Sequence, residues 1–118
     1  MDAQLQQADS LVLLYVPCGS EEYAAGLASR LLEERLIACA NIYASRSLYN
    51  WNGKLSEEQE QVVVCKTLAS RAKEAVARVK QIHSYETPCI ITLVPARAND
   101  EFYTWVRAEV TGPISPAG

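Results

Sequence analysis

The sequence predicts an α+β fold of the order β-α-β-β-α-β, a ferredoxin-like arrangement with a long β-hairpin and a short C-terminal helix. Three observations carry this. A hairpin signal runs from Ile37 to Thr67, centred on Tyr49-Asn50-Trp51-Asn52-Gly53-Lys54-Leu55. Apolar residues recur at helical spacing before and after it. Two short apolar runs, Leu11 to Val16 and Cys89 to Val94, stand near the two ends of the chain, each stopped by a proline.

Ser10 to Val16 reads as a central strand buried on both faces. Ser20 is an N-cap residue, and Glu21 and Glu22 complement the helix dipole behind it. Ala24, Leu27, Ala28 and Leu31 follow at i, i+3, i+4 and i+7, so the first helix is expected from Glu21 to Arg35. Ser70 is the expected cap of a second helix with the stripe Ala72, Ala75, Val76, Val79 and Ile82. His83 to Pro88 is a loop, because Thr87 precedes a proline. Cys89 to Val94 forms the last strand. Asn99 is expected to cap a terminal helix that turns Phe102, Trp105 and Val106 to one side. Residues 10–110 make one domain; 1–9 and 111–118 are expected to be loose.

Asn-Gly favours a type I′ turn, which needs positive φ at both central residues. With Asn52 and Gly53 as the loop, Trp51 faces Lys54. Without a bulge, Ile42 then faces Val63 and Ala40 faces Cys65. A bulge is expected, because Glu57-Glu58-Gln59-Glu60-Gln61 is too polar for a continuous half-buried strand. A protruding arm of this kind calls for a partner surface.

The chain has 118 residues, 49% hydrophobic and 21% charged, with a formal net charge of −3. That supports a packed core and opposes a non-specific nucleic-acid binder. The first strand offers only Tyr15 to stack a base, which also opposes RNA recognition on the sheet. The N-terminus has neither the basic nor the apolar region of a signal peptide, and no run reaches membrane-spanning length. Cys18, Cys39, Cys65 and Cys89 include no C-x-x-C pair. A reduced cytoplasmic protein is the expectation, with Cys65 and Cys89 in the core.

His83 is the single histidine. It reads either as a ligand for copper or another divalent metal, or as a helix C-terminal residue near the last carbonyls. A metal would need further donors, for which Cys18 and Glu86 are the candidates; folding is expected to need no metal. Lys54, Lys66 and Tyr85, with Tyr49 and Trp51, form a second constellation. They read as an inter-subunit pocket for an anionic small ligand or, for Tyr49 and Trp51, as interface anchors. The Glu57 to Glu60 run reads as a solvated face. No phosphate loop, G-x-S-x-G or H-E-x-x-H pattern is present. An acylphosphatase-type enzyme would share the topology, but Pro17-Cys18-Gly19-Ser20-Glu21 supplies no arginine for a phosphate.

Five ordered segments resemble the CutA family of divalent-cation tolerance proteins. They are Glu34 to Asn41, Ser47 to Lys54, Lys66-Thr67, His83 to Pro88, and Tyr103-x-Trp105; the likeness runs from about Leu11 to Val106. The resemblance implies a non-enzymatic homotrimer with a role in divalent-metal tolerance. It makes Cys39 a motif residue grouped with the ligand pocket, and puts Tyr49, Trp51 and Trp105 at the subunit interface. Two positions depart from the family pattern. The loop reads Ile82-His83-Ser84, with a single histidine where copper-binding members have a pair and serine in place of the usual proline. The family's strand cysteine falls on Val16 by an ungapped count back from Cys39, with Cys18 two residues later.

Overall fold

A computed structural model describes residues 9–111. The expectations for the two chain ends lie, apart from Asp9 and Thr111, outside the described residues. Seven elements follow in order: β1 (Leu11–Cys18), α1 (Glu21–Glu33), β2 (Cys39–Trp51), β3 (Lys54–Leu68), α2 (Ala69–Ile82), β4 (Ile91–Leu93) and α3 (Asp100–Val110). The strands form one antiparallel sheet in the order β2-β3-β1-β4, and the fold is ferredoxin-like. Side chains alternate between the two sheet faces. On one face Leu14, Val16 and Cys18 of β1 and Val63 and Cys65 of β3 meet Ala24, Leu27, Ala28 and Leu31 of α1 and Ala75 and Val79 of α2. On the other face, at the sheet base, Leu11 and Leu68 pack with Ala38 and with Tyr103, Val106 and Val110 of α3.

The β1 pattern corrects the two-sided burial expected for it. Its even-numbered residues are buried, while Leu13, Tyr15 and Pro17 are half-buried. The strand also runs through Pro17 to Cys18, opposite Val62 and Gln61 of β3.

The hairpin has the turn its sequence calls for, with φ of 51° at Asn52 and 76° at Gly53. Its register is unbroken from Trp51 opposite Lys54 to Cys39 opposite Lys66, so no bulge is present. The polar arm stays regular because diagonal neighbours bond across it. Arg46 pairs with Glu57, the Tyr49 hydroxyl donates to Glu58, and the Ser47 hydroxyl donates to Glu60 over 2.5 Å. Ile42 opposite Val63 and Ala40 opposite Cys65 are as the unbulged register requires.

Three boundaries depend on distant partners. α1 stops at Glu33, and Arg35 takes a left-handed φ of 58°, from which its guanidinium donates to the Glu109 carbonyl at 3.2 Å. The side-chain cap of α2 comes from Asp9, not Ser70: its carboxylate accepts from the Ser70 amide at 2.9 Å and the Ser70 hydroxyl at 2.5 Å. β4 is only three residues long. Its register with β1 would set Cys89 against Pro17. Pro17 has no N–H to offer, and its carbonyl is taken by the His83 ring at 2.8 Å. Cys89 therefore lies before the strand, exposed rather than in the core.

α3 buries Tyr103, Val106 and Val110 instead of the expected Phe102, Trp105 and Val106 stripe. The Tyr103 hydroxyl donates to the Asp9 carbonyl at 2.8 Å. Asn99 precedes the helix without making a side-chain cap; its amide donates to Glu101 at 3.3 Å.

Glu34 is only 6% exposed. Arg78 of α2 grips it with Nε at 2.9 Å from Oε1 and Nη2 at 3.0 Å from Oε2. Arg30 stands farther off, at 3.8 Å. Arg78→Ala leaves a buried carboxylate short of donors, and is expected to lower unfolding free energy by about 2–3 kcal/mol. Urea denaturation checks this; a loss of a few tenths would mean that solvent already serves Glu34.

Candidate functional site

The end of β1, the C-terminus of α2 and the loop after it converge on one junction. His83 caps α2, its amide donating to the Val79 carbonyl at 2.8 Å. Its ring is buried against β1. Nδ1 accepts from the Tyr85 amide at 3.0 Å, so the ring proton sits on Nε2, which donates to the Pro17 carbonyl. The Cys18 Sγ lies 3.8 Å from the same Nε2. Cys18 and Val16 share a sheet face, so Cys18 reaches the histidine from two residues beyond the position counted from Cys39.

A metal about 2.3 Å from a sulfur and about 2.0 Å from a nitrogen holds them roughly 3.5–3.7 Å apart at tetrahedral to trigonal angles. Cys18 and His83 fit such an ion in donor type and separation, as two of its ligands. Their present bonding opposes it. Nε2 would have to give up its proton and the Pro17 carbonyl. Burial, with the nearby Glu60 carboxylate adding to it, pushes the Cys18 thiol up to about 11. Glu86 is exposed, three residues past His83. Among the described residues no group of three or more His, Cys, Asp or Glu side chains is gathered to hold a metal ion.

The lysine constellation is spread along the hairpin. Lys54 is at the tip and Lys66 at the base, about 40 Å apart along β3. Lys66 bonds to Asn41, lies 5.7 Å from the Phe102 ring centroid, and faces Cys39 across the ladder. Cys39 is half-buried, and its thiol is raised by burial, which the Lys66 charge partly offsets. Trp105 is exposed beside Phe102, with ring centroids 5.9 Å apart.

Tyr85 lies midway and belongs to a different group. Its hydroxyl donates to Glu60 at 2.8 Å, and its ring sits 4.7 Å from that of His83. Burial, then the bond to Glu60, raises its phenol well above the usual range. With Tyr49, Trp51, Glu58 and Glu60 it lines an open groove of about 710 Å³ on the side of the hairpin. Within one chain this groove is acidic and aromatic. The sequence showed the Glu run and the aromatics separately; the turn register that puts them on one face was the signal that joins them.

The model of the family described as "CutA1 divalent ion tolerance protein" matches residues 12–109. A divalent-cation tolerance protein CutA of Thermus thermophilus is 41% identical over 105 residues, covering 88% of this chain and 99% of the relative. The crystal structure of a divalent ion tolerance protein CutA1 from Ehrlichia chaffeensis superposes with a TM-score of 0.86 at 35% identity, covering 89% of this chain and 99% of that one. A structure from Archaeoglobus fulgidus, 36% identical with a TM-score of 0.82 over 85% of this chain and 98% of that one, is described as a periplasmic divalent cation tolerance protein CutA. That last likeness overturns the cytoplasmic expectation. Free cysteines do not mark the compartment here: Cys39 and Cys65 sit on neighbouring strands but point to opposite sheet faces, a geometry that does not allow them to pair with each other. No helix among the described residues is long and apolar enough to cross a membrane.

The thiols give a test. Burial pushes Cys65 up to about 12 from the ordinary 9.0, with Cys18 and Cys39 adding to it. Folded Cys18 and Cys65 keep protons that the unfolded chain releases from about pH 9. Their contribution to stability is therefore full below pH 9 and lost as pH rises towards 11 and 12. Exposed Cys89 is expected to react first with a disulfide reagent at pH 8, and Cys18 and Cys65 only on unfolding. Thiol titration with and without denaturant reads both classes; fast native reaction of Cys18 would contradict its burial.

Proposed function

Because the chain belongs to the CutA1 divalent ion tolerance family, we propose that it works as a non-enzymatic homotrimer, binding copper or another divalent metal through Cys18 and His83. The observation that carries the reading is the 3.8 Å separation of a thiol and an imidazole nitrogen at one buried junction. Soft sulfur and borderline imidazole together suit copper better than the hard ions. Glu86, on the loop that starts at His83, is the third donor of the proposal, with solvent filling the remainder.

The metal binds to a subunit already folded over residues 10–110. The imidazole has partners for both nitrogens without an ion, and the thiol rests against the Val16 carbonyl at 3.9 Å. Uptake then exchanges a hydrogen-bonded neutral histidine for a ligated one. That makes the site a responsive contact rather than a structural centre.

The homotrimer is supported by the sheet face away from α1 and α2. There Tyr43, Ile91 and Leu93 are 49%, 47% and 45% exposed beside half-buried Leu13, Tyr15 and Val64. Apolar side chains gathered on one sheet face favour burial against another copy. Tyr49, Trp51 and Trp105 extend that surface at its two ends. No nucleic-acid or membrane partner is part of the proposal.

Native mass spectrometry, without and with stoichiometric Cu²⁺, tests assembly and metal together. The expected result is a trimer taking about one copper per subunit, lost in His83→Ala and in Cys18→Ser. Undiminished uptake in both variants would remove the pair from the model, and a monomer would remove the assembly.

A further inference from the structure

The outer side of the helix layer carries a groove that the proposed trimer leaves open. α1 and α2 cover one face of the sheet, and the trimer buries the other. The groove holds about 540 Å³ between α1 and the last residue of α2. Tyr23, Gly26, Leu27 and Ile82 line it, with the charged side chains Glu22 and Arg30. We propose that this face docks a second copy of the chain, α1 against α1 in antiparallel, with Gly26 at the crossing point.

Three observations carry the proposal. First, nothing inside the subunit calls for glycine at position 26. Glycine in the middle of a helix weakens it relative to alanine. A Cβ at Gly26 would meet nothing within 4 Å, and its φ is not positive. Neither packing nor backbone geometry within the chain therefore requires the smaller residue. What a bare backbone does provide is close approach by another backbone.

Second, the charges around Gly26 complement themselves. Residues 22, 26 and 30 form one i, i+4 ridge of α1. Glu22 and Arg30 stand on either side of Gly26, each about 6 Å along the helix axis from it. A copy related by a two-fold axis at Gly26 sets Glu22 against the partner's Arg30 and Arg30 against the partner's Glu22. The commonest helix crossing, about 50°, lays two such ridges parallel, so both pairs form together. A small ion in the same groove would meet one opposite charge and one like charge.

Third, both charges are available. Arg30 is exposed and stands 3.8 Å from Glu34, a carboxylate that Arg78 already holds. Glu22 is exposed and has no ion pair among the described residues. Exposed Tyr23 and half-buried Ile82 add apolar surface for the contact to remove from water.

The contact is small, so association is expected in the micromolar to millimolar range. Sedimentation velocity of the full chain at low salt, from about 10 µM to about 1 mM, reads it. The assembly present at low concentration, trimer or single chain, is expected to double in mass as concentration rises. Glu22→Arg and Arg30→Glu each set like charges together in both pairs, and each is expected to weaken doubling at least about tenfold. The combined exchange rebuilds both pairs in reverse and is expected to return to within about threefold of the parent. Glu22 has no ion pair to lose inside the subunit, so its variant tests the contact without disturbing the fold. Gly26→Ala is expected to raise the thermal midpoint through helix propensity while weakening the doubling. A glycine that served only the fold would not give that combination. A mass that stays at its low-concentration value up to about 1 mM overturns the proposal. So does doubling that neither single exchange weakens, or a combined exchange that fails to restore it. The mass at low concentration reports the trimer by itself, so the two readings fail independently.

Discussion

The two-residue turn at Asn52 and Gly53 is the constraint on which the rest of the subunit depends. Positive φ at both residues fixes which side chains of β2 and β3 face each other, and the ladder then runs without slip to Cys39 and Lys66. In a strand, a shift of one residue would exchange the two faces. Val63 and Cys65 would leave the core beneath α1 and α2. Glu58 and Glu60 would leave Tyr49 and Trp51. Packing at the base and polarity along the arm are thus settled by one turn, and neither could be changed alone.

The second organising contact is the bond from His83 Nε2 to the Pro17 carbonyl. It docks the end of α2 on the end of β1. It also occupies the acceptor that a longer β4 would have used, which explains the short edge strand. Through Nδ1 the same ring orders the backbone of Tyr85, whose hydroxyl then reaches Glu60 on the hairpin. A proline inside a strand is tolerated where the ladder bond is not needed. Here that freed position hosts a histidine instead of a neighbouring strand.

Much of this was legible in the sequence, and the failures share a cause. The element order, the Asn-Gly turn, the base register and the α1 stripe all follow from local pattern, which short-range sterics and periodicity decide. The missing bulge, the Asp9 cap and the truncated β4 each depend on a partner far along the chain. Arg46, Tyr49 and Ser47 make the polar arm a regular strand by bonding across it, and no composition rule foresees diagonal pairs. Exposed Cys89 was misplaced because a run of apolar residues does not say where its ladder ends. Of the candidate site residues, Cys18 and His83 come together, while Lys54 and Lys66 lie at opposite ends of one strand. The acidic groove was missed as a unit because its residues were read for charge and aromaticity without their shared face.

Tyr85 joins the thiol–imidazole junction to the hairpin groove. Its amide bonds to the imidazole and its hydroxyl to a groove carboxylate. Gly19 lies beside the Tyr85 ring, where an added Cβ would stand in ordinary contact, 3.4 Å from the Tyr85 hydroxyl oxygen. Nε2 ligation requires the ring proton to leave Nε2. If it moves to Nδ1, that atom becomes a donor facing the Tyr85 N–H, and the bond between them is lost.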